Sequence, residues 1–598
     1  MCGICGVLGR PAKDEEIRRL LDAIKHRGPD DEGVFCSDDV FLGHRRLAIL
    51  DVSSAGHQPM EANGCQLVFN GEIYNYLELR QELVALGHSF CTETDTEVLL
   101  HAWLEWREQA FSRLRGMWSL AIFDSQENKV ILCRDRFGIK PLYYMVQDKV
   151  LSFSSEIPGL LSKTAETVPN DDMVIRYLML GITEHKNETF FRDVWQVEPG
   201  TYLCYDLTGK QYDIVRYYEL EEHLSPPQKT DYVKSYDEAV RIHLRSDVRV
   251  GTCLSGGLDS STLTARAAII YAKEKGEAMY AITAKSEDKD NDESNFAAIV
   301  AKSAGLNWHF AFPRYEDFVA KHEAMLKIQA EPVVGPSVFL QYCVMEEARK
   351  NGCKVMLDGQ GGDETLLGYE RYYITYLWEL LRNHKYGKFC DIYRQIAANS
   401  KLTLVSMLMY FCYFSFGIVR RLFLERRCAF VKKIWREKFF AEEFPAMGRN
   451  KTLRDIQIEE ICKGHLSTLL RYEDRNSMAW SLESRVPYVD HVLVEKSVAL
   501  DGSDKIKDGW TKYILRQICE KVLPKEIAWR KNKYGFEAPE NIWLNNYQGI
   551  MQQEVEKSSL IKRYFDYIPQ MGKMPLRMRW RVYNLAVWGR QYLSGDYK

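Results

Sequence analysis

Position 2 holds the first side chain with an evident chemical use. If Met1 is removed, as the small residue after it permits, Cys2 presents a thiol and a free α-amine together. An α-amine with a reference pKa of about 7.7–8.0 keeps a neutral fraction near neutral pH, so it can take the thiol proton directly or through a water. No separate histidine base is then needed. Cys2 and Cys5 could also be half of a metal or redox site, but no second Cys-x-x-Cys pair answers them. Three clusters favour the nucleophile: Arg45-Arg46-Leu47-Ala48-Ile49, Asn70-Gly71-Glu72-Ile73-Tyr74-Asn75 and Thr94-Asp95-Thr96-Glu97. A guanidinium binds an α-carboxylate bidentately and an aspartate accepts from an α-ammonium. The Asn70 amide with the Gly71 N–H suits an oxyanion hole, where one donor contributes roughly 3 kcal/mol. Asn-Gly also reads as a hairpin turn, and one motif can be both. Hydrolysis of the glutamine side-chain amide needs all of these groups.

A second candidate site is the string Ser255-Gly256-Gly257-Leu258-Asp259-Ser260-Ser261. It lies where a strand passes into a helix, so backbone N–H groups and the helix N-terminus can cradle an anion. It lacks the Gly-Lys-Ser/Thr of a Walker loop, and transfer of a terminal phosphoryl group is not implied. It resembles the pyrophosphate loop of adenylating ATPases, which makes Asp259 a candidate magnesium ligand. Asp358-Gly359-Gln360-Gly361-Gly362-Asp363-Glu364 follows the apolar run 354–357, as expected at the carboxyl end of another strand, and Asp363 could complete the metal site.

The elements that must position these groups divide in two. With 598 residues, two domains are expected, and 46% apolar with 27% charged residues is the mixture of a folded protein. Residues 1–218 alternate short β-rich runs with turns, such as 65–69 and 118–123, and suggest a layered sheet domain. Residues 219–230 are polar, contain Pro226-Pro227, and read as the linker. From 231 to 598 the pattern becomes strand, glycine turn and long helix: 248–254 is β-prone, a helix runs from Thr262 to Gly276, and the unit repeats with a strand at 278–284 and a helix near 294–304. That pattern predicts a parallel α/β sheet, and the chain beyond about Tyr369 reads as helical. A net charge of −3 gives no electrostatic case for nucleic acid. Fifteen scattered cysteines and no basic-then-apolar leader fit a reducing, cytoplasmic setting.

The order Cys2, His26-Arg27-Gly28-Pro29-Asp30, Arg46-Leu47, Asn70 to Asn75, Asp95 and Arg134-Asp135-Arg136-Phe137-Gly138 resembles the N-terminal-nucleophile domain of glutamine amidotransferases. That resemblance implies an α/β/β/α sandwich with Cys2 as nucleophile and Asn70 and Gly71 as the oxyanion hole. It implies that Arg46, Leu47, Ala48, Ile49, Leu50, Asn70, Gly71, Glu72 and Asp95 hold glutamine. With Leu482-Glu483-Ser484-Arg485-Val486-Pro487 and Trp529-Arg530-Lys531-Asn532-Lys533 also present, essentially the whole chain resembles the glutamine-hydrolysing asparagine synthetases of the bacterial B type. The resemblance then implies an ATP site at Leu254, Ser255 to Ser261, Ile282, Asp358 and Gly359. It also implies an acceptor site at Gln360 and Glu364, magnesium at Asp259 and Asp363, and Lys533 stabilising phosphate charge. Ammonia is expected to pass inside the protein to an acyl-adenylate.

The family usually carries Ser-Gly-Glu-Gly-Ser/Ala-Asp-Glu where this chain has Asp358 to Glu364. Gln360 keeps hydrogen bonding but cannot act as a base, and Asp358 adds charge near the nucleotide. Aspartate is the first expected acceptor, and another carboxylate, such as a uronic acid of a surface polysaccharide, is the second. A non-catalytic binding protein on the same fold is the rival class, against which the intact Cys2, Asn70, Asp95, Asp259 and Asp363 weigh. Residues 402–419 carry no charge. As one helix they would span roughly 27 Å. A single crossing would separate motifs of one domain, so a buried helix or helix pair is expected, with a monotopic membrane contact as the sharper alternative. A homodimer is an open expectation.

Overall fold

The computed structural model describes residues 2–161, 166–225, 229–400, 402–444, 451–531 and 536–595. Two six-stranded antiparallel sheets open the chain. The first runs in the order β10 (Trp195–Gln196), β8 (Tyr143–Gln147), β9 (Val150–Ser154), β1 (Gly3–Leu8), β3 (Val40–Arg46), β2 (Asp31–Cys36). The second runs β12 (Gln211–Arg216), β11 (Thr201–Asp206), β7 (Lys129–Arg134), β6 (Gly116–Asp124), β5 (Cys65–Ile73), β4 (Met60–Ala62). Side-chain alternation sorts the layers. Ile4 and Leu8 of β1 meet Val68 of β5 and Leu132 of β7 between the sheets. Cys5 and Val7 face outward onto Leu20, Leu21 and Ile24 of the first helical layer, while Leu67 and Phe69 face Leu99 and Trp103 of the other. The expected α/β/β/α sandwich is present.

Beyond it stands a five-stranded parallel sheet in the order β15 (Asn307–Ala311), β14 (Tyr280–Ala284), β13 (Val250–Cys253), β16 (Val355–Leu357), β17 (Glu483–Arg485). From β13 the chain builds outward through β14 and β15, then returns to the other side of β13 for β16. The crevice between β13 and β16 is therefore a topological switch point, where open parallel sheets bind ligands. The helix expected from Thr262 starts earlier, at Leu258, because Gly257 serves as its N-cap and the polar Asp259-Ser260-Ser261 forms its first turn. A largely helical region follows, ending in Leu576–Tyr592, whose Trp580 and Trp588 are buried in the same core as Phe318, Phe339 and Tyr177.

The segment 402–419 corrects the expectation of burial. It forms parts of two helices, Leu404–Ser415 and Gly417–Arg427, bent by 97°. Val405, Met409 and Ile418 are 68%, 62% and 77% exposed. Hydrophobicity alone does not say which faces a neighbour covers. Every cysteine is a free thiol.

The two halves are joined by buried charge. Arg27 donates to Asp474 through both terminal nitrogens (2.8 and 3.0 Å), to Glu156 (2.9 Å), and through Nε to the Cys2 carbonyl (3.0 Å). Arg475 pairs with Glu156 at 2.9 Å, and Arg115 binds Asp490 bidentately at 2.8 Å. Burial opposes ionisation of Asp474 and Glu156, yet Arg27 and its neighbouring cations hold both carboxyls below their ordinary range. Arg27→Met should cost about 3–5 kcal/mol, because it strands the buried Asp474 carboxylate and takes one of several cations from Glu156, and should appear as a lower urea midpoint. Arg113→Met, which breaks an exposed pair with Glu82, should cost under about 1 kcal/mol. Depressed carboxyls contribute stability above their unfolded values near pH ~4, so the interface should weaken as pH falls through the lower folded values.

Candidate active sites

Cys2 lies at the head of β1, whose Gly3 faces Arg45 of β3, so the residues from Arg46 onward border it. On β5, Asn70 shares the inward parity of Val68 and reaches across the sandwich: the Cys2 N–H donates to Asn70 Oδ1 at 3.0 Å. Asn70 Nδ2 donates to Ser119 Oγ at 3.1 Å, which fixes the amide orientation and leaves its second hydrogen. Gly71 points the other way, and a Cβ there would lie 2.1 Å from the Met117 carbonyl, so only glycine fits. Asp95 opens the helix Asp95–Trp106, capped by Thr94, and its Oδ2 accepts from the Ile73 N–H at 2.9 Å.

Together Cys2, Arg46, Leu47, Ile49, Leu50, Gly71, Glu72 and Asp95 line a narrow cleft of about 30 Å³. Ala48 does not line it; its N–H donates to Asp30 Oδ2 at 2.9 Å and sets the course of the run. Arg46 donates to the carbonyls of Ser53 through Nη1 (2.6 Å) and of Asp51 (2.5 Å) and Leu50 (3.4 Å) through Nη2, which leaves its Nε–H and one Nη1 hydrogen for a ligand. Burial pushes the Cys2 thiol up, while the Leu47 N–H and the Arg46 guanidinium pull the other way. Burial also pushes the Asp95 carboxyl up to about 6 and, with Glu483 nearby, raises Glu72. Glu483 and Arg485 come from the other half of the chain: Arg485 pairs with Glu72 (3.4 Å) and with Glu483 (2.5 Å). The sequence motif containing them was visible, but nothing in it showed that it completes this pocket.

The second cleft, of about 140 Å³, occupies the switch point. Leu254, Ser255, Gly257, Asp259, Ser260, Ile282, Asp358, Gly359, Gln360 and Asp363 line it. Gly256 has φ +78, and a Cβ there would lie 2.9 Å from the Ala297 N and 3.0 Å from the Glu293 carbonyl, so both conformation and space favour glycine. The loop is braced from within: Ser255 Oγ and Ser260 Oγ are 2.8 Å apart, and the Gly257 N–H donates to Ser255 Oγ at 3.3 Å. Leu258 packs into the core below and Ser261 is buried in the helix's first turn. At Gly359 a Cβ would lie 3.0 Å from the Ser260 N, so the two loops are in close approach.

Asp259 and Asp363 meet at Lys512, which pairs with both, at 2.7 Å to Asp363. Nothing in the sequence around Lys512 announced this. Gln360 donates its N–H to Asp358 Oδ1 at 3.0 Å, and burial pushes the Asp358 carboxyl up to about 6. Glu473, held by Gln341 and Ser484, is buried beside it and raised well above the usual carboxylate range, first by burial and then by Asp358. Glu364 does not line the cleft; it accepts from Tyr369 Oη at 2.6 Å, and burial pushes it up to about 7. Lys533 lies outside the described residues. Arg530 donates to the Gly256 carbonyl at 3.2 Å and pairs with Glu293, so its own side chain lies at the glycine loop.

A cysteine pocket on a nucleophile sandwich, built into one body with a switch-point anion loop, defines an amidotransferase coupled to an ATP-using synthetase half. A glutamine amidotransferase domain model matches residues 1–218 and an asparagine synthase model matches residues 234–572. The chain belongs to the asparagine synthase family. Asparagine synthetase [glutamine-hydrolyzing] 1 of Bacillus subtilis is 30% identical over 96% of this chain and 92% of its own. Asparagine synthetase [glutamine-hydrolyzing] 3 of the same organism is 28% identical over 89% and 86%. Amidase chry2 of Gibberella zeae is 26% identical over 91% and 90%.

The raised carboxyl of Asp95 sets a pH dependence. Above about pH 6 the free pocket offers an ionised acceptor to an α-ammonium; below it the carboxyl protonates. The kcat/KM for glutamine hydrolysis should therefore fall as pH drops through about 6, and kcat should respond at lower pH, because a bound ammonium favours the ionised form. Initial rates across a pH series check it.

Proposed function

We propose that the chain hydrolyses glutamine at Cys2 and delivers the ammonia to an acyl-adenylate made from ATP and a carboxylate, with aspartate as the first acceptor and asparagine, AMP and pyrophosphate as products. The observation that carries this reading is the single strand β17: its Arg485 side chain pairs with Glu72 in the cysteine pocket, and its Arg485 carbonyl accepts from the Asp358 N–H at the nucleotide cleft (2.9 Å). One element thus borders both reactions.

In the first site the α-amine freed on Cys2 takes the thiol proton, and the thiolate attacks the glutamine amide carbon. Charge develops on the former carbonyl oxygen, for which the remaining Asn70 Nδ2 hydrogen and the Gly71 N–H are the nearby donors. The C–N bond breaks, ammonia leaves with the transferred proton, and water cleaves the thioester to give glutamate. Arg46 suits the α-carboxylate, and Asp95 with Glu72 the α-ammonium.

In the second site the Ser255–Ser261 loop receives the pyrophosphate portion of ATP, with Leu254 and Ile282 along the wall for the nucleoside. A carboxylate oxygen attacks the α-phosphorus and pyrophosphate departs; ammonia then attacks the acyl carbon and AMP leaves. Asp259 and Asp363 fit a magnesium ion, since Asp259 Oδ1 is buried with no hydrogen-bond partner and paired carboxylates beside phosphate oxygens are its preferred donors. Such an ion, when bound, would neutralise charge on the leaving pyrophosphate.

A second acceptor class is favoured by one feature: Gln360 lines the cleft where the resembling family has a glutamate, and the carboxylates close to it are Asp358 and Glu473. The same mechanism on a uronic acid is that reading. Pyrophosphate release measured over a panel of carboxylates decides: turnover strongest with aspartate supports asparagine synthesis, and turnover with sugar acids alone supports the alternative.

Cys2→Ala should lower glutamine-dependent synthesis by roughly 10³-fold or more and leave ammonium-dependent synthesis in place. Asp259→Asn should do the reverse, removing adenylation while glutamine hydrolysis persists. Loss of both activities in both variants would refute the division of labour.

A further inference from the structure

Neither site makes use of the helix pair Leu404–Ser415 and Gly417–Arg427. Its inner side is anchored. Met407 is buried with Tyr372 and Leu377, Phe411 stacks on Trp378 at 4.8 Å, and Trp378 Nε1 donates to Ser415 Oγ at 2.6 Å. These partners lie on the helix Arg371–Arg382, which begins two residues after Tyr369, the partner of Glu364. The outer side is apolar and open. Val405, Leu408, Met409, Ile418, Leu422 and Phe423 are 52–77% exposed, at the three- and four-residue spacings that place them on one face of each helix. An apolar face of this extent is unusual on a soluble monomer.

Positive charge lies toward one end of that face. Residues 404–438 hold eight basic and two acidic side chains in a chain whose net charge is −3. None of the eight precedes Arg420, so the cations gather along the second helix and just after it. Arg421, Arg426 and Lys433 are exposed; Arg421 also pairs with Glu425 at 2.9 Å. Among the described residues no single helix is long and apolar enough to cross a membrane, and the 97° bend lets both helices lie in one plane.

We propose that this helix pair docks on the surface of a bilayer containing anionic phospholipid. The apolar face enters the headgroup boundary to a depth of about 5–10 Å, and Arg421, Arg426 and Lys433 pair with lipid phosphates. A second copy fits less well, because a two-fold contact presents the same patch, with eight basic and two acidic side chains in 404–438, and so offers no acidic excess to meet the cations. Docking in this way places the Glu364–Tyr369 corner of the synthetase half one helix away from the membrane surface. The inference is independent of which carboxylate is amidated.

Flotation of the full-length protein with vesicles of phosphatidylcholine, alone or mixed with phosphatidylglycerol, tests it. The protein should rise with the mixed vesicles, less with phosphatidylcholine alone, and less again at raised salt. Ile418→Asp with Leu422→Asp should reduce binding by about tenfold or more. Arg426→Glu with Lys433→Glu should remove the preference for anionic lipid, and glutamine hydrolysis should be unchanged in both variants. Absence of flotation by the wild-type protein, or equal flotation by the Arg426→Glu and Lys433→Glu variant, overturns the proposal. So does a wild-type dimer in sedimentation velocity that the aspartate variant converts to monomer, since the face would then belong to a second copy.

Discussion

A layer of buried arginine and carboxylate groups between the two halves fixes where everything else sits. Arg27 is the clearest member: one edge of its guanidinium holds the Cys2 carbonyl, and the other grips Asp474 on a helix more than four hundred residues away in sequence. Removing such charges from water is costly, and their attraction offsets that cost only when every partner is in place. Neither half can complete the set alone. The position of Cys2 is thus conditional on the second half of the chain being folded against it.

Strand β17 extends the same logic to the second reaction. Glu483, Ser484 and Arg485 are all buried, though their composition is that of a surface segment. They tolerate burial because Arg485 donates through Nε to Glu483 and through Nη1 to the carbonyls of His243 and Arg245, while its Nη2 pairs with Glu72 at 3.4 Å. An edge strand normally exposes unpaired backbone and invites aggregation. Here the Arg485 side chain carries that edge of the parallel sheet onto Glu72 of the cysteine pocket, and each structure makes the other tenable.

These features mark the boundary of what the sequence disclosed. Alternating runs such as Cys65–Ile73 and the strand–glycine–helix unit at Val250–Lys275 were legible because period, turn residues and motif agree. The grouping of residues around Cys2 was legible through short motifs, each carried by one strand or helix start. Arg485, Lys512 and Glu473 were not, because their roles come from contacts between elements distant in sequence, and a buried ion pair leaves no periodic trace. The helix pair at 404–427 failed for a different reason: apolar content measures the cost of facing water, and does not identify what is faced instead.

Lys512 shows how an electrostatic balance can prepare a site for its ligand. Two carboxylates in the cleft would repel each other and any nucleotide; the ammonium between Asp259 and Asp363 reduces their combined charge to a single negative. A triphosphate brings several more negative charges to the same corner, where loop N–H dipoles at the start of the helix Leu258–Lys275 supply only partial compensation. With such a ligand bound, a further cation would offset that deficit, and Asp259 Oδ1 is buried without a hydrogen-bond partner. The lysine thus has a dual consequence: it holds the two acids close together, and it leaves Asp259 Oδ1 without a hydrogen-bond partner and open to an incoming positive charge.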